Sequence, residues 1–306
     1  MIRIVVVNYL TRVKLTNLIT ISYTLSRVVI RSCLSLISPE STTEVMDFID
    51  TEVIAPLSEE GKKVMKIASM FRGPFSPDLL IDQGISDQTL DTLLEKSLLR
   101  RVNEDYRVHA MLRDIFYAQM TSEEKMKYHK LAAEYHAKSE DPAEIVETIH
   151  HLIKAYEQSK AAKIAISNRE KLLTDEYLEQ VLRELDHLDE EETPKYWSGV
   201  LFLRGEIYRR MGESDRALDE FRNALEYIES VLPSGRERIS YLWFGLPEGV
   251  REMKAEMQFK VAQIYEEKGD IDRAKEYYKD SLKTYEALED EEEPKKVREA
   301  LENLKS

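Results

Sequence analysis

Histidines, a cysteine and carboxylates are the side chains here that could ligate a metal, attack a carbonyl or move a proton. His109, His129, His136, His150, His151 and His187 contain no His-Glu-x-x-His pair, the spacing that sets two imidazoles and a general base around zinc on one helical face. They read one by one as surface or core residues, and no metal site is expected. Cys33 is alone, which excludes an internal disulfide and a cysteine-based zinc cage. No Gly-x-Ser-x-Gly elbow presents a serine nucleophile. A phosphate-cradling loop needs Gly, four residues, Gly-Lys and then Ser or Thr; the chain's Gly61-Lys62 is followed by Lys63. With 58 acidic residues in 306, carboxylates that neighbour each other in sequence carry no glycosidase signal. The chain therefore reads as a non-enzyme, with no catalytic residue and no cofactor of its own.

The elements that would position such side chains are mostly helices. Only 10 Gly and 9 Pro leave little room for the many turns of a sandwich or propeller. The formal charge of −14 argues against nucleic acid as a partner of the whole surface, because phosphate would be repelled. A single cysteine fits a reduced, cytoplasmic compartment.

Residues 1–45 stand apart as a basic segment of uncertain structure. Arg3, Arg12, Lys14, Arg27 and Arg31 precede the first acidic residue, Glu40. The longest uncharged stretch there, Leu15 to Ser26, has 12 residues and is too short and too polar for a membrane span, so no membrane is expected as a partner. It suits neither a signal peptide nor an anchor. The abrupt change near Pro39 reads as a strand-rich remnant or an upstream stretch translated in the wrong frame. Protease should then remove residues 1 to about 38 without lowering the melting temperature of the rest.

Residues 46–120 show the order helix, helix, helix, hairpin, helix. Ser58 caps the first helix, in which Val64, Ile67, Ala68 and Phe71 make an apolar stripe. A short helix runs from Pro77 to Ile81. Asp87 caps the third, with Leu90, Leu93, Leu94 and Leu98 inward. Two β-rich runs around Asn103-Glu104-Asp105 make the hairpin, and a helix follows from His109. This is the order of a winged helix. Many winged helices insert the third helix into DNA, but Asp87, Asp91 and Glu95 put acid on one of its faces. Arg100, Arg101 and Arg107 on the wing keep a DNA-binding transcriptional regulator as the alternative.

Residues 121–190 read as a helical connector. Thr121 to Glu124 form a capping box, with Tyr128, Leu131, Ala132 and Tyr135 as the next stripe. Asp141-Pro142 starts a helix through Ile145, Ile149, Leu152, Ile153 and Tyr156. In residues 191–306 a unit repeats: Gly205, Tyr208, Gly212, Ala217, Phe221 and Ala224 recur as Ala262, Tyr265, Gly269, Ala274, Tyr278 and Ser281. Small residues where two helices touch, aromatics between them and Gly at the turn make the tetratricopeptide pattern. Copies normally lie about 34 residues apart; Tyr208 and Tyr265 are 57 apart, which places an insertion near 233–253.

Together these pieces resemble a family. Leu57 to Phe75, Leu90 to Leu99, Tyr106-Arg107-Val108-His109 and Leu112 to Phe116 look like the winged helix of signal-transduction ATPases with numerous domains, of the archaeal and bacterial type. Tyr128 to Tyr135 and Ile149-His150-His151-Leu152 resemble the helical segment that follows it. The resemblance implies a winged helix that docks on a nucleotide-binding core, in cis or in trans, and repeats that sense an effector. That core is missing from this sequence. In the family a Met-His-Asp triplet at the end of the wing contacts bound ADP. Here it reads Val108-His109-Ala110, so His109 is the nucleotide-sensor candidate, without the Asp and the Met.

The expected fold is therefore mainly α: a winged helix followed by an α-α superhelix of tetratricopeptide-like repeats. The expected function is a non-catalytic protein–protein interaction and regulatory module. A protein or peptide would lie in the groove lined by first helices, at Phe202, Glu206, Arg209, Arg210, Phe259, Gln263, Glu266 and Glu267. Phe202 and Phe259 occupy equivalent positions and read either as paired anchors or as packing residues.

Overall fold

The computed structural model describes residues 49–231, 250–287 and 292–304. The basic N-terminal segment with Cys33, and most of the expected insertion, lie outside these residues. Contacts divide the chain into two compact units, Met1–Glu124 and Lys125–Ser306.

The first unit begins with a turn of π-helix, Ile49–Ile54, tied by Asp50 to the Gln119 side chain at 2.7 Å. Then come α1 (Glu59–Ala68), α2 (Asp78–Ile81), α3 (Asp87–Glu95), β1 (Leu99–Val102), β2 (Asp105–Val108) and α4 (Ala110–Gln119). The Ser58 hydroxyl accepts from the Gly61 amide, as a cap should. The cap of α3 is Ser86 and not Asp87, which begins the helix proper. Glu60 reaches across from α1 and accepts from the Ser86 amide and both the Ser86 and Thr89 hydroxyls, which holds its carboxyl below the usual range. β1 and β2 are antiparallel, with Leu99 opposite Val108 and Arg100 opposite Arg107. Asn103 turns the hairpin at φ +57°. Phe75 adds a backbone bridge to Tyr106, and Phe71, Phe75, Leu80, Leu93, Leu112 and Phe116 fill the core beneath.

In the second unit α5 (Ser122–His136), whose first turn straddles the unit boundary, is opened by a reciprocal capping box. The Thr121 amide donates to Glu124 at 3.1 Å and the Glu124 amide to the Thr121 hydroxyl at 3.2 Å. There follow α6 (Pro142–Lys154), α7 (Gln158–Ser167), α8 (Arg169–Leu172), α9 (Leu178–Leu185), α10 (Trp197–Arg210), α11 (Ser214–Val231), α12 (Val250–Glu267), α13 (Ile271–Glu286) and α14 (Glu293–Asn303). Residues 250–253, expected in the insertion, are the first turn of α12. Helices α10–α11 and α12–α13 form two hairpins, and the repeat positions named above are buried at their joins, except Tyr208 and the two exposed turn glycines, Gly212 and Gly269. The molecule is mainly α, and its C-terminal part is a helical repeat.

Both hairpins turn the same way. Gly212 at φ +79° and Gly269 at φ +76° occupy the left-handed position that ends the first helix. At each, the next amide reaches back five residues: Glu213 to the Tyr208 carbonyl, Asp270 to that of Tyr265. Tyr156 ends α6 in the same way at φ +59°, with the Glu157 amide on the Leu152 carbonyl, and stands 78% exposed. The apolar pattern had placed Tyr156 inside. The left-handed backbone carries it past the end of the helical stripe.

Candidate functional site

Helix α10 is buried nearly all round, because α7 and α9 pack on it as well as α11. Phe202 is consequently an interior residue. It is 2% exposed, its ring is 5.7 Å from Phe221, and the Arg169 guanidinium covers it at 5.3 Å. Phe259, its repeat equivalent, is half-buried 5.4 Å from Tyr278. The pair reads as packing residues in this arrangement, and the face is polar.

That polar face is a ladder of ions joining α8, α10 and α12. Arg169 meets Glu256 at 3.1 Å, and Lys260 lies between Glu256 at 3.6 Å and Glu206 at 3.1 Å. One turn on, Arg209 donates to Gln263 at 2.7 Å and pairs with Glu267 at 3.3 Å. Lys260 and Glu206 are only 19% and 12% exposed, so water screens this pair less than a surface pair. Glu266 accepts from the Tyr278 hydroxyl at 2.6 Å; burial first, and then this bond, raise that phenol. Arg210 is exposed at the end of α10. On the opposite flank Arg204 pairs with Asp186 at 3.2 Å and Glu220 at 2.9 Å. Burial raises the Glu220 carboxyl despite that arginine.

His109 caps α4. Its Nδ1 accepts from the Met111 amide at 3.3 Å, and burial, with Arg107 nearby, lowers its pKa. A neutral imidazole is what a cap requires. Asp87, Asp91 and Glu95 lie exposed along α3, and Arg100, Arg101 and Arg107 lie exposed on the hairpin.

Four histidines that read singly in the sequence come together between α5 and α6. His129, His136 and His151 are 4%, 8% and 1% exposed, and His150 lies at their edge. Nδ1 of His129 and Nδ1 of His151 are 2.9 Å apart; His136 Nδ1 is 2.5 Å from Glu144 and His150 Nδ1 3.0 Å from Glu184. The ligand atoms of His136, Glu147 and His151 lie within 4.8 Å of one another, enough to hold a metal ion. The signal was present in the sequence. Glu147 precedes His151 by four residues and His129 precedes His136 by seven, so each pair shares a helical face.

The tetratricopeptide repeat family matches residues 198–230 and 255–293, which are the two hairpins. No curated protein matches the chain. A solved structure, that of a signal transduction ATPase with numerous domains with a tetratricopeptide repeat sensor from Pyrococcus horikoshii, is similar at 17% identity. It covers 84% of this chain with a TM-score of 0.36, and the chain spans 49% of that protein's length. Among the described residues no helix is long and apolar enough to cross a membrane.

Proposed function

We propose that the chain is a non-catalytic interaction and regulatory module, whose α10–α12 face takes a protein or peptide segment of mixed charge. The observation that carries this is the half-buried ion ladder laid across two tetratricopeptide hairpins. Such hairpins generally bind proteins through first helices, and this ladder offers both signs in a fixed order. In this reading the elements of Met1–Glu124 form a winged helix. It would dock on a nucleotide-binding core outside this sequence, with His109 at that junction, as in the ATPase family the sequence resembles. Arg209→Glu with Lys260→Glu should abolish cross-linking to a bound partner while circular dichroism stays unchanged. ATP hydrolysis at ordinary turnover by the purified chain would refute the reading.

A second reading, duplex DNA binding, draws on Arg100, Arg101 and Arg107, which are exposed on one hairpin. It predicts salt-dependent duplex binding that Arg100→Glu with Arg101→Glu removes. The exposed acids of α3 oppose it.

A further inference from the structure

We infer that His136, Glu147 and His151 form a binding site for a divalent metal ion of the zinc class, one that fastens α5 to α6. The proposal is independent of any partner on the repeats.

The geometry is close to a loaded site. Donors bound to one zinc ion at 2.0–2.1 Å lie roughly 3.4 Å apart in a tetrahedral arrangement. Glu147 Oε2 and His151 Nε2 are already 3.9 Å apart on neighbouring turns of α6. The three ligand atoms fall within 4.8 Å, so side-chain torsions alone need to close about 1 Å. The rings of His136 and His151 stack with centroids 5.3 Å apart and planes 14° from parallel, so both imidazoles run alongside each other from two helices.

The surroundings are those that orient metal-binding imidazoles. Such a histidine usually donates its other N–H to a neighbour, which fixes tautomer and ring angle. His136 has Glu144 at its Nδ1, and His151 has His129 at its Nδ1. With Nδ1–H donating in both rings, each Nε2 carries the lone pair that ligation uses. Four imidazole rings gather here with neighbouring centroids 5.1–6.4 Å apart, and three of them are under a tenth exposed.

Donor chemistry selects the ion. Two imidazoles and a carboxylate suit zinc and its borderline neighbours; calcium and magnesium prefer oxygen alone, and copper(I) prefers thiolate. The two imidazoles are buried, while the Glu147 side chain is 21% exposed and gives the ion its way in. A fourth position falls to water. Ligands drawn from both α5 and α6 make the ion a clamp between the two helices.

The experiment uses the tag-free full chain stripped with chelator. Zn²⁺ titration by calorimetry should give saturable binding of one ion per chain, with a rise in melting temperature. Co²⁺ should give the visible absorption of a tetrahedral site. Glu147→Gln, half-buried and still able to hydrogen-bond, should fold as before and bind at least about tenfold more weakly; Glu144→Gln should weaken binding roughly 10–100-fold. His187→Asn, on an exposed residue away from the cluster, should change nothing. His151→Asn is expected to abolish binding, but Glu147→Gln and Glu144→Gln decide the matter should that variant not fold. Absence of saturable binding, or full-strength binding in Glu147→Gln and Glu144→Gln alike, would overturn the proposal and leave the cluster as a hydrogen-bonded polar core.

Discussion

Replacing Gly205 with Ala puts two well-calibrated effects in opposition. Gly205 lies inside α10, where Ala is the better helix former by about 1 kcal/mol. A Cβ there would lie 2.4 Å from Phe221 Cε1, 2.6 Å from Cδ1 and 3.0 Å from Cζ. Ordinary carbon contacts are roughly 3.5–4.0 Å, so the ring must retreat by about 1 Å. Phe221 is 0% exposed and rests on Phe202, so the ring has nowhere to go. Overpacking of this kind costs about 1–3 kcal/mol, and with three ring atoms engaged the upper end applies. The net loss is about 2 kcal/mol. For a unit of this size that lowers the melting temperature by about 4–8 °C. Both tryptophans, Trp197 and Trp243, fall within Lys125–Ser306, so fluorescence-monitored thermal and urea unfolding follows that unit. Adding Phe221→Leu should restore part of the loss, with a coupling of about 1 kcal/mol in the double-mutant cycle. A Gly205→Ala variant as stable as the parent, or more so, would refute the reasoning. The second hairpin supplies an internal comparison: Ala262 stands there against the rest of the repeat code, with Tyr278 in place of Phe221.

Gly199→Ala should be neutral or stabilising by up to about 1 kcal/mol in the same assay, because the nearest atoms to its Cβ all belong to the half-buried Ile166 side chain, Cδ1 at 2.6 Å and Cγ1 at 3.1 Å, which can swing aside. Gly212→Ala should cost about 1 kcal/mol, since at φ +79° strain applies although nothing lies within 4 Å. For His109 the folded pKa is depressed, so folding prefers the neutral ring. Its contribution is intact above the unfolded value near 6.5 and is lost as pH falls from there through the folded value. Melting temperatures of the parent and of His109→Asn, which keeps a capping side chain, should therefore diverge least above pH 7 and shift relative to each other below it; parallel curves would exclude the effect.

The repeat hairpins were legible because their code is steric. A Gly or Ala must stand where two helices touch, and an aromatic ring must fill the space beside it, whatever the rest of the chain does. The hairpin and helix order of the first unit was legible for the same reason: turns and caps are local. The groove was harder to read. Counting positions along α10 left Phe202 open between a groove anchor and a packing residue; α7, α9 and α11 pack on that helix, and Ser198 to Leu203 are buried without a break, which leaves no periodicity to count. The stripe on α5 slipped similarly. Leu131 and Tyr135 were expected inside, but His129, Ala133 and His136 are the buried residues there, with Tyr128 and Ala132. A histidine gives no polarity signal in a sequence pattern, because its character depends on what the other helix brings to meet it. Glu144 and His151 settle that from α6, and only the fold brings them there.

If the face binds a partner as proposed, the run from Arg169 through Glu256 and Lys260 to Glu206 has a further consequence for selectivity. Its charges already satisfy one another, so a newcomer gains nothing simply by being charged. It must offer each rung a better-placed counterion than the one it removes, at several rungs together. Affinity on such a face grows with the match in charge order along the visitor, and a segment of uniform sign is turned away by half of the rungs it meets.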